Sequence, residues 1–454
     1  MACIPTKYAR PNFEMNRPSR RKPRSLFFRL SLRLSLLVVG TCSWSPPVLA
    51  DLNPTGAFNP DESLEVVLEP SGDDELRPQT TYRASGPWGD LDYSITYLTI
   101  PDQYVENWTE PSEVVAWHFS GMTIEEVKGK VLGMTKQSVS VGSEGPEARF
   151  VTGELGVTLF PNETLVRMLT PEQRSELALV LRNDPRNRFH RNPIVIESGD
   201  PVSWYRAAML PEDTVQLIAS LCYDLGGTRV FSDVPFVLST LESLALRRDF
   251  LRAMTRTRSL FLRLNLRDAD DLNSIAEYWT AGQKRKDLLP ILKSITETPE
   301  IEKVDIAHLL PPTPRMLLFT FPDFAWTVSG EVRDCHWTST NFFRAPPGGG
   351  IRNPSVRGSL MFESLEPVAG VPRFGDVLVV YAKETGEILH SAVYIAADIL
   401  FTKNGDSMFK PWVLMRYTDM LAHFNIKGPT ATRLFKHKWD DRDRETGSVQ
   451  RVDE

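Results

Sequence analysis

Cysteine is scarce in this chain: Cys3, Cys42, Cys222 and Cys335 are the four among 454 residues. That is too few for a disulfide scaffold. Histidine is nearly as rare, at seven. None stands in a ligand spacing such as His-Glu-x-x-His, so no metal and no cofactor is expected. Basic charge is also short beyond the first residues. Nine of the 52 Lys and Arg fall within residues 1–50, but only one of the 58 Asp and Glu, which leaves the remainder at a net charge of about −14. A chain that acidic lacks the basic footprint of a nucleic-acid binder. Long apolar runs are missing too. The run Leu34–Gly40 is too short to cross a bilayer, and Arg29 and Arg33 interrupt any longer version.

The N-terminus carries an address. Arg20-Arg21-Lys22 and Arg24 precede that short apolar run, and Val48-Leu49-Ala50 resembles a small-residue cleavage site. Together they predict a cleaved export signal over residues 1–50, with the mature chain in the periplasm or cell envelope and no transmembrane span left after cleavage. An uncleaved basic anchor and a lipid-modified Cys42 are the alternatives. Residues 51–84, rich in Asp, Glu, Pro and Gly, read as a linker or arm.

Three regions follow. Strand-like stretches at Leu91–Ile100, Gln137–Val141 and Ala148–Leu159 predict a β-rich module over 85–160. Residues 161–310 read as a mainly helical accessory domain. Thr170-Pro171-Glu172-Gln173 is a helix start with a capping box. A second helix is expected from Pro211 to Leu225, stopping at Gly226-Gly227. Cys222 falls on its apolar side, as a core residue would. Seven arginines between Arg247 and Arg267 read either as a contact for an anionic polymer or as a solvated face balanced by Asp268, Asp270 and Asp271. The second reading is favoured. Leu260–Leu266 alternates as a strand and Asp270–Gly282 reads as a helix. The prolines at 311, 312 and 314 mark the start of a C-terminal domain, 311–440, before a flexible tail, 441–454.

The chemistry is expected in that last domain. Asp334 is placed to cap a helix that opens with Cys335. A free thiol is mostly protonated at neutral pH, and a helix N-terminus favours the thiolate. Downstream, Val377–Tyr381 is a continuous apolar run suited to a buried strand. In the next strand His390, Ala392 and Tyr394 share a face, and small Ala392 leaves room beside the imidazole. Cys335 and His390 are therefore the expected nucleophile and base. Leu400, Thr402 and Asn404 share a face of the following strand. Asn404 is expected to orient His390, with Thr402 as the alternative. His336 is a rival base, but adjacent helical residues point about 100° apart. Pro346–Gly350 reads as a flap or as a plain flexible loop.

These residues carry a resemblance. Asp334-Cys335 opening a helix, Gly375-Asp376 opening a strand, and His390 before Ala392-Val393-Tyr394-Ile395 resemble the NlpC-type papain-like cysteine peptidases, over roughly residues 315–425. Two features depart from that pattern: His336-Trp337 replaces the family's Ser-Gly, and Ala392 replaces its glycine. The resemblance implies an α+β fold, in which a papain-like domain packs its cysteine helix on an antiparallel sheet. It also implies an exported cysteine hydrolase acting on peptide or amide bonds, with peptidoglycan stem peptides as the expected substrate. The alternative is a catalytically silent envelope protein that binds wall peptides or a protein partner.

Overall fold

The computed structural model describes residues 65–68 and 80–440, apart from 107–113, 136–147, 198, 207–209, 268, 284, 351–352 and 354–356. The expected leader, most of the expected linker, the strand expected at Gln137–Val141 and the tail from 441 lie outside the described residues. The described residues are mixed helix and sheet, and each of the four sheets pairs its strands antiparallel, which is compatible with an α+β class. Among them, no helix is long and apolar enough to cross a membrane.

Alternation in the strand Gly89–Leu98 buries Leu91 and Tyr93, and in Thr257–Asn265 it buries Leu260, Leu262 and Leu264. These two strands pair antiparallel, Thr257 opposite Leu98 and Asn265 opposite Asp90. Their apolar faces join a core that also holds Trp279, Leu310, Leu317, Trp337, Phe374 and Phe401. Residues 100–254, between the paired strands, build a separate core around Trp117, Phe119, Leu159, Leu181, Ile218 and Phe231. The divisions expected at 160 and 310 are therefore not those of the fold. Strand pairing across that distance leaves no local signal. The prolines near 311 also open a helix, Pro312–Leu317, that ends inside the shared core, rather than a linker.

Local chemistry accounts for several elements. Thr170 caps the helix Pro171–Leu181: its hydroxyl accepts from Gln173 N at 3.3 Å, and the Gln173 side chain accepts from Thr170 N at 2.8 Å. Such a cap contributes about 1 kcal/mol. The next expected helix is shorter, Glu212–Leu221. Gly226 and Gly227 do not stop it. Both have positive φ and form the two-residue turn between the strands Tyr223–Leu225 and Thr228–Phe231. Several members of the arginine run have acidic or aromatic partners. Arg252 meets Asp102 and Asp249, Arg258 meets Asp419, Arg267 meets Glu302, and Arg256 lies over the Tyr97 ring at 3.9 Å.

The C-terminal sheet has six strands in the order Leu365–Pro367, Thr430–His437, Val377–Ala382, Ile388–Ala396, Ile399–Lys403, Trp412–Arg416. One face carries Val377, Val379, Val393, Ile395, Phe401 and Trp412, in one core with Trp337 and Phe342 from the cysteine helix and its following turn. The other face carries Leu378, Val380, Ala392, Tyr394, Leu400 and Val413, packed with Met420 of a covering helix, Tyr417–Asn425. The site is defined by which side chains fall on which face.

Candidate active site

Asp334 begins the site. It is buried, its backbone is extended, and its Oδ1 accepts from Trp337 N at 2.9 Å. It thereby caps the helix Cys335–Thr340 and satisfies one of the amides that a helix start leaves unpaired. Cys335, at 4% exposure, is the first residue of that helix and is not in a disulfide. Three polar contacts hold the helix on the sheet. Ser391 Oγ lies 3.0 Å from His336 Nδ1 and also accepts from Ser339 Oγ at 3.0 Å, and Trp412 Nε1 donates to Thr338 Oγ1 at 2.9 Å. Small side chains at 338 and 339 allow this close approach.

Gly375 precedes the strand Val377–Ala382 with φ +90, and a Cβ there would collide with the Phe343 ring. Only glycine suits both constraints. Asp376 is fully buried and its carboxylate accepts from Arg373 N at 2.7 Å, closing the turn into the strand. The Gly-Asp pair is thus explained by backbone geometry.

His390 is not beside Cys335. Adjacent residues of a strand point to opposite faces, and Ser391 is the one that meets the cysteine helix. His390 points to the covering helix, where its ring stacks on Phe424 at 4.5 Å between centroids. The sheet separates the thiol from the imidazole, so the expected pair is not formed. Alternation correctly grouped His390 with Ala392 and Tyr394, but their shared face is not the one that receives the cysteine helix.

The partner of His390 is Thr402, whose Oγ1 lies 2.9 Å from Nε2. Asn404 does not orient the imidazole: its Nδ2 points to Met415 Sδ at 3.5 Å, and its Oδ1 has no partner. His390 Nδ1 is buried without a partner as well. Cys222 is a core thiol. It donates to Ile218 O at 3.3 Å, and burial pushes its pKa up to about 12, so it stays protonated.

The face that does meet Cys335 holds a residue given no role in the sequence analysis. Lys403 is fully buried on the side of its strand shared with Phe401, opposite Trp412. Its Nζ donates to Gly405 O and Ser407 O, each at 2.8 Å, and sits 5.9 Å from the Trp412 ring centre. Burial pushes its pKa down to about 8, against the charges of Cys335, Asp406 and Asp334, which favour the ammonium. The available sequence signal was its position two residues beyond Phe401, on an apolar face where lysine is costly.

A cavity of about 210 Å³ adjoins the helix, lined among others by His336, Thr340, Asn341, Arg344 and Glu363. Its rim is the glycine loop considered above as a flap, and that loop is tied down. Trp337 Nε1 donates to Gly348 O and Gly349 O at 3.0 Å, and Gly348 N donates to Asn341 Oδ1 at 2.7 Å. No family model, no curated protein and no solved structure matches the chain.

Proposed function

We propose that this chain is an exported hydrolase with a papain-like C-terminal domain, and that Cys335 is the nucleophile that cleaves a peptide or amide bond. The observation that carries the reading is the position of Cys335 at a side-chain-capped helix start, held against a sheet face that contains a buried lysine. A helix start leaves backbone amides unpaired, and these can donate to an oxyanion that forms beside the first residue of the helix. The thiol gives up its proton, and the sulfur adds to the carbonyl carbon. Amide N–H groups at the helix start stabilise the oxyanion, the amine leaves with a proton, and water hydrolyses the thioester to restore the thiol. Peptidoglycan stem peptides are the proposed substrate class, resting on the motif order around Cys335 and His390.

One observation favours a second reading, a silent envelope protein that binds such peptides: His390 faces away from the thiol and is held by Thr402. Incubation of the purified protein with peptidoglycan fragments, read by mass spectrometry, separates the two. The hydrolase gives cleaved products that disappear in Cys335→Ala and persist in Cys222→Ala. Intact fragments that nevertheless bind the protein support the silent reading.

A further inference from the structure

The cavity of about 210 Å³ beside the cysteine helix is not lined by Cys335 and has no part in the chemistry proposed for the thiol. Its walls carry charge of both signs. Arg344 follows the turn that ends the cysteine helix, and Glu363 lies near the end of the helix Arg357–Ser364. Among the described residues neither side chain has an ion-pair partner, and the two do not pair with each other. Both walls are fixed. One is the glycine rim bonded to Trp337 and Asn341, and Arg344 reaches it: a Cβ on Gly348 would lie 3.7 Å from Arg344 Nη1 and 3.3 Å from Asn341 Oδ1. The other is held by Lys438, whose Nζ donates to Phe362 O at 3.0 Å and Glu363 O at 2.8 Å, and whose backbone N donates to Ser364 O at 3.0 Å. The Lys438 ammonium is thus spent on carbonyls and not on the Glu363 carboxylate. His336 lines the same cavity, buried, with its ring held through Nδ1 by Ser391 Oγ at 3.0 Å. His437 lies within the field of Arg344, but burial pushes its pKa down to about 4, so it adds no charge at pH 7.

A hollow with fixed walls needs little rearrangement to bind. Its volume is below the roughly 300–1,000 Å³ of sites that hold drug-sized ligands, which limits the occupant to the size of one or two amino acids. A simple anion would meet Arg344 and be repelled by Glu363, and a simple cation the reverse. A molecule with a carboxylate at one end and an ammonium at the other answers both. We propose that this cavity binds a small zwitterion, an amino acid or a dipeptide with free ends, with its carboxylate on Arg344 and its ammonium on Glu363. The guanidinium fork matches a planar carboxylate, and Trp337 and Met361 supply apolar wall for a small side chain. Such binding uses no chemistry at Cys335 and stands apart from the hydrolase reading.

The probe is alanylalanine with free ends, compared with its N-acetyl form and its C-terminal amide by isothermal titration calorimetry. Each is titrated into wild type and into Cys335→Ala, where the thiol cannot consume the peptide. Free alanylalanine should bind, and blocking either end should weaken it about five-fold, the scale of one exposed ion pair. No heat beyond dilution at about 5 mM free dipeptide overturns the proposal. So does binding of the blocked forms as tight as that of the free one, with no need of a variant. In Arg344→Gln the free dipeptide should weaken by the same factor, and amidation should then cost nothing further. In Glu363→Gln the same should hold for acetylation. An amidation penalty in Arg344→Gln equal to that in wild type overturns the assignment of the carboxylate to Arg344. Dipeptide binding with peptidoglycan fragments left intact keeps the site and removes the hydrolase. Cleaved fragments without dipeptide binding do the reverse.

Discussion

At the scale of single residues, two buried bases have different neighbours and should behave differently. His390 spends Nε2 on Thr402 and stacks on Phe424. We expect Thr402→Val to leave that nitrogen unpaired in the interior and to cost about 1–3 kcal/mol in urea unfolding. Iodoacetamide labelling of Cys335 should stay within about two-fold of wild type, since the sheet lies between the groups; a loss on the scale of activating effects, about ten-fold, would place His390 at the thiol after all. Lys403 should reveal itself through pH. Its folded pKa is depressed to about 8 from 10.5, so between those values the unfolded chain holds more protons, and stability from this group rises with pH. The buried Cys222 thiol and the Tyr394 phenol, both raised by burial, act in the opposite sense above pH 9. Comparing denaturant midpoints of wild type and Lys403→Met from pH 7 to 9 isolates the lysine. The wild type should gain on the variant across that range, and parallel curves would sink the assignment.

At the scale of elements, turns and caps decide where the functional helix and strands begin. Asp334 and Thr170 were both legible as helix starts, because capping needs only a short polar side chain three residues ahead of an amide. Gly226-Gly227 was not read correctly, because the same dipeptide ends a helix or turns a hairpin. Gly375 carries the sharpest constraint of the site, since it combines a positive φ with the Phe343 ring where a Cβ would lie. Gly375→Ala should destabilise the protein by about 2 kcal/mol or more in thermal or chemical unfolding. An effect below about 0.5 kcal/mol, typical of an unconstrained surface position, would remove this account of the Gly-Asp motif.

At the scale of the molecule, the sheet that carries Lys403 does not have a core to itself. Phe401, Trp412 and Trp337 share theirs with Leu91, Tyr93, Leu260, Leu264 and Trp279, which lie far upstream. Two further bonds bridge the same distance: Tyr278 Oη donates to Ile395 O at 2.7 Å, and Ser259 Oγ donates to Leu414 O at 3.1 Å. Residues 311–440 expressed alone should therefore fail to fold cooperatively, with poorly dispersed amide NMR signals and no sigmoidal melting transition. Adding residues 80–310 should restore both. A cooperative melt of the short fragment would show that the upstream strands are dispensable.

The sequence by itself determined what depends on near neighbours. Asp334 caps the helix that opens with Cys335, Val377–Ala382 is a buried strand, and His390, Ala392 and Tyr394 share one face because side chains alternate along a strand. Alternation is symmetric, however. It says which residues go together and not which side of the sheet each set will meet. That choice belonged to the tertiary structure. The cysteine helix lies on the face of Ser391 and Lys403, and the covering helix on the face of His390 and Thr402. A shift of one residue exchanges the two sets, and the ladder here is broken opposite His390, where Val380 pairs with His390 but Tyr381 pairs with Ile388. Such a break is set by how neighbouring strands and helices pack, so no local reading of residues 388–390 could have decided which face of the sheet His390 would take.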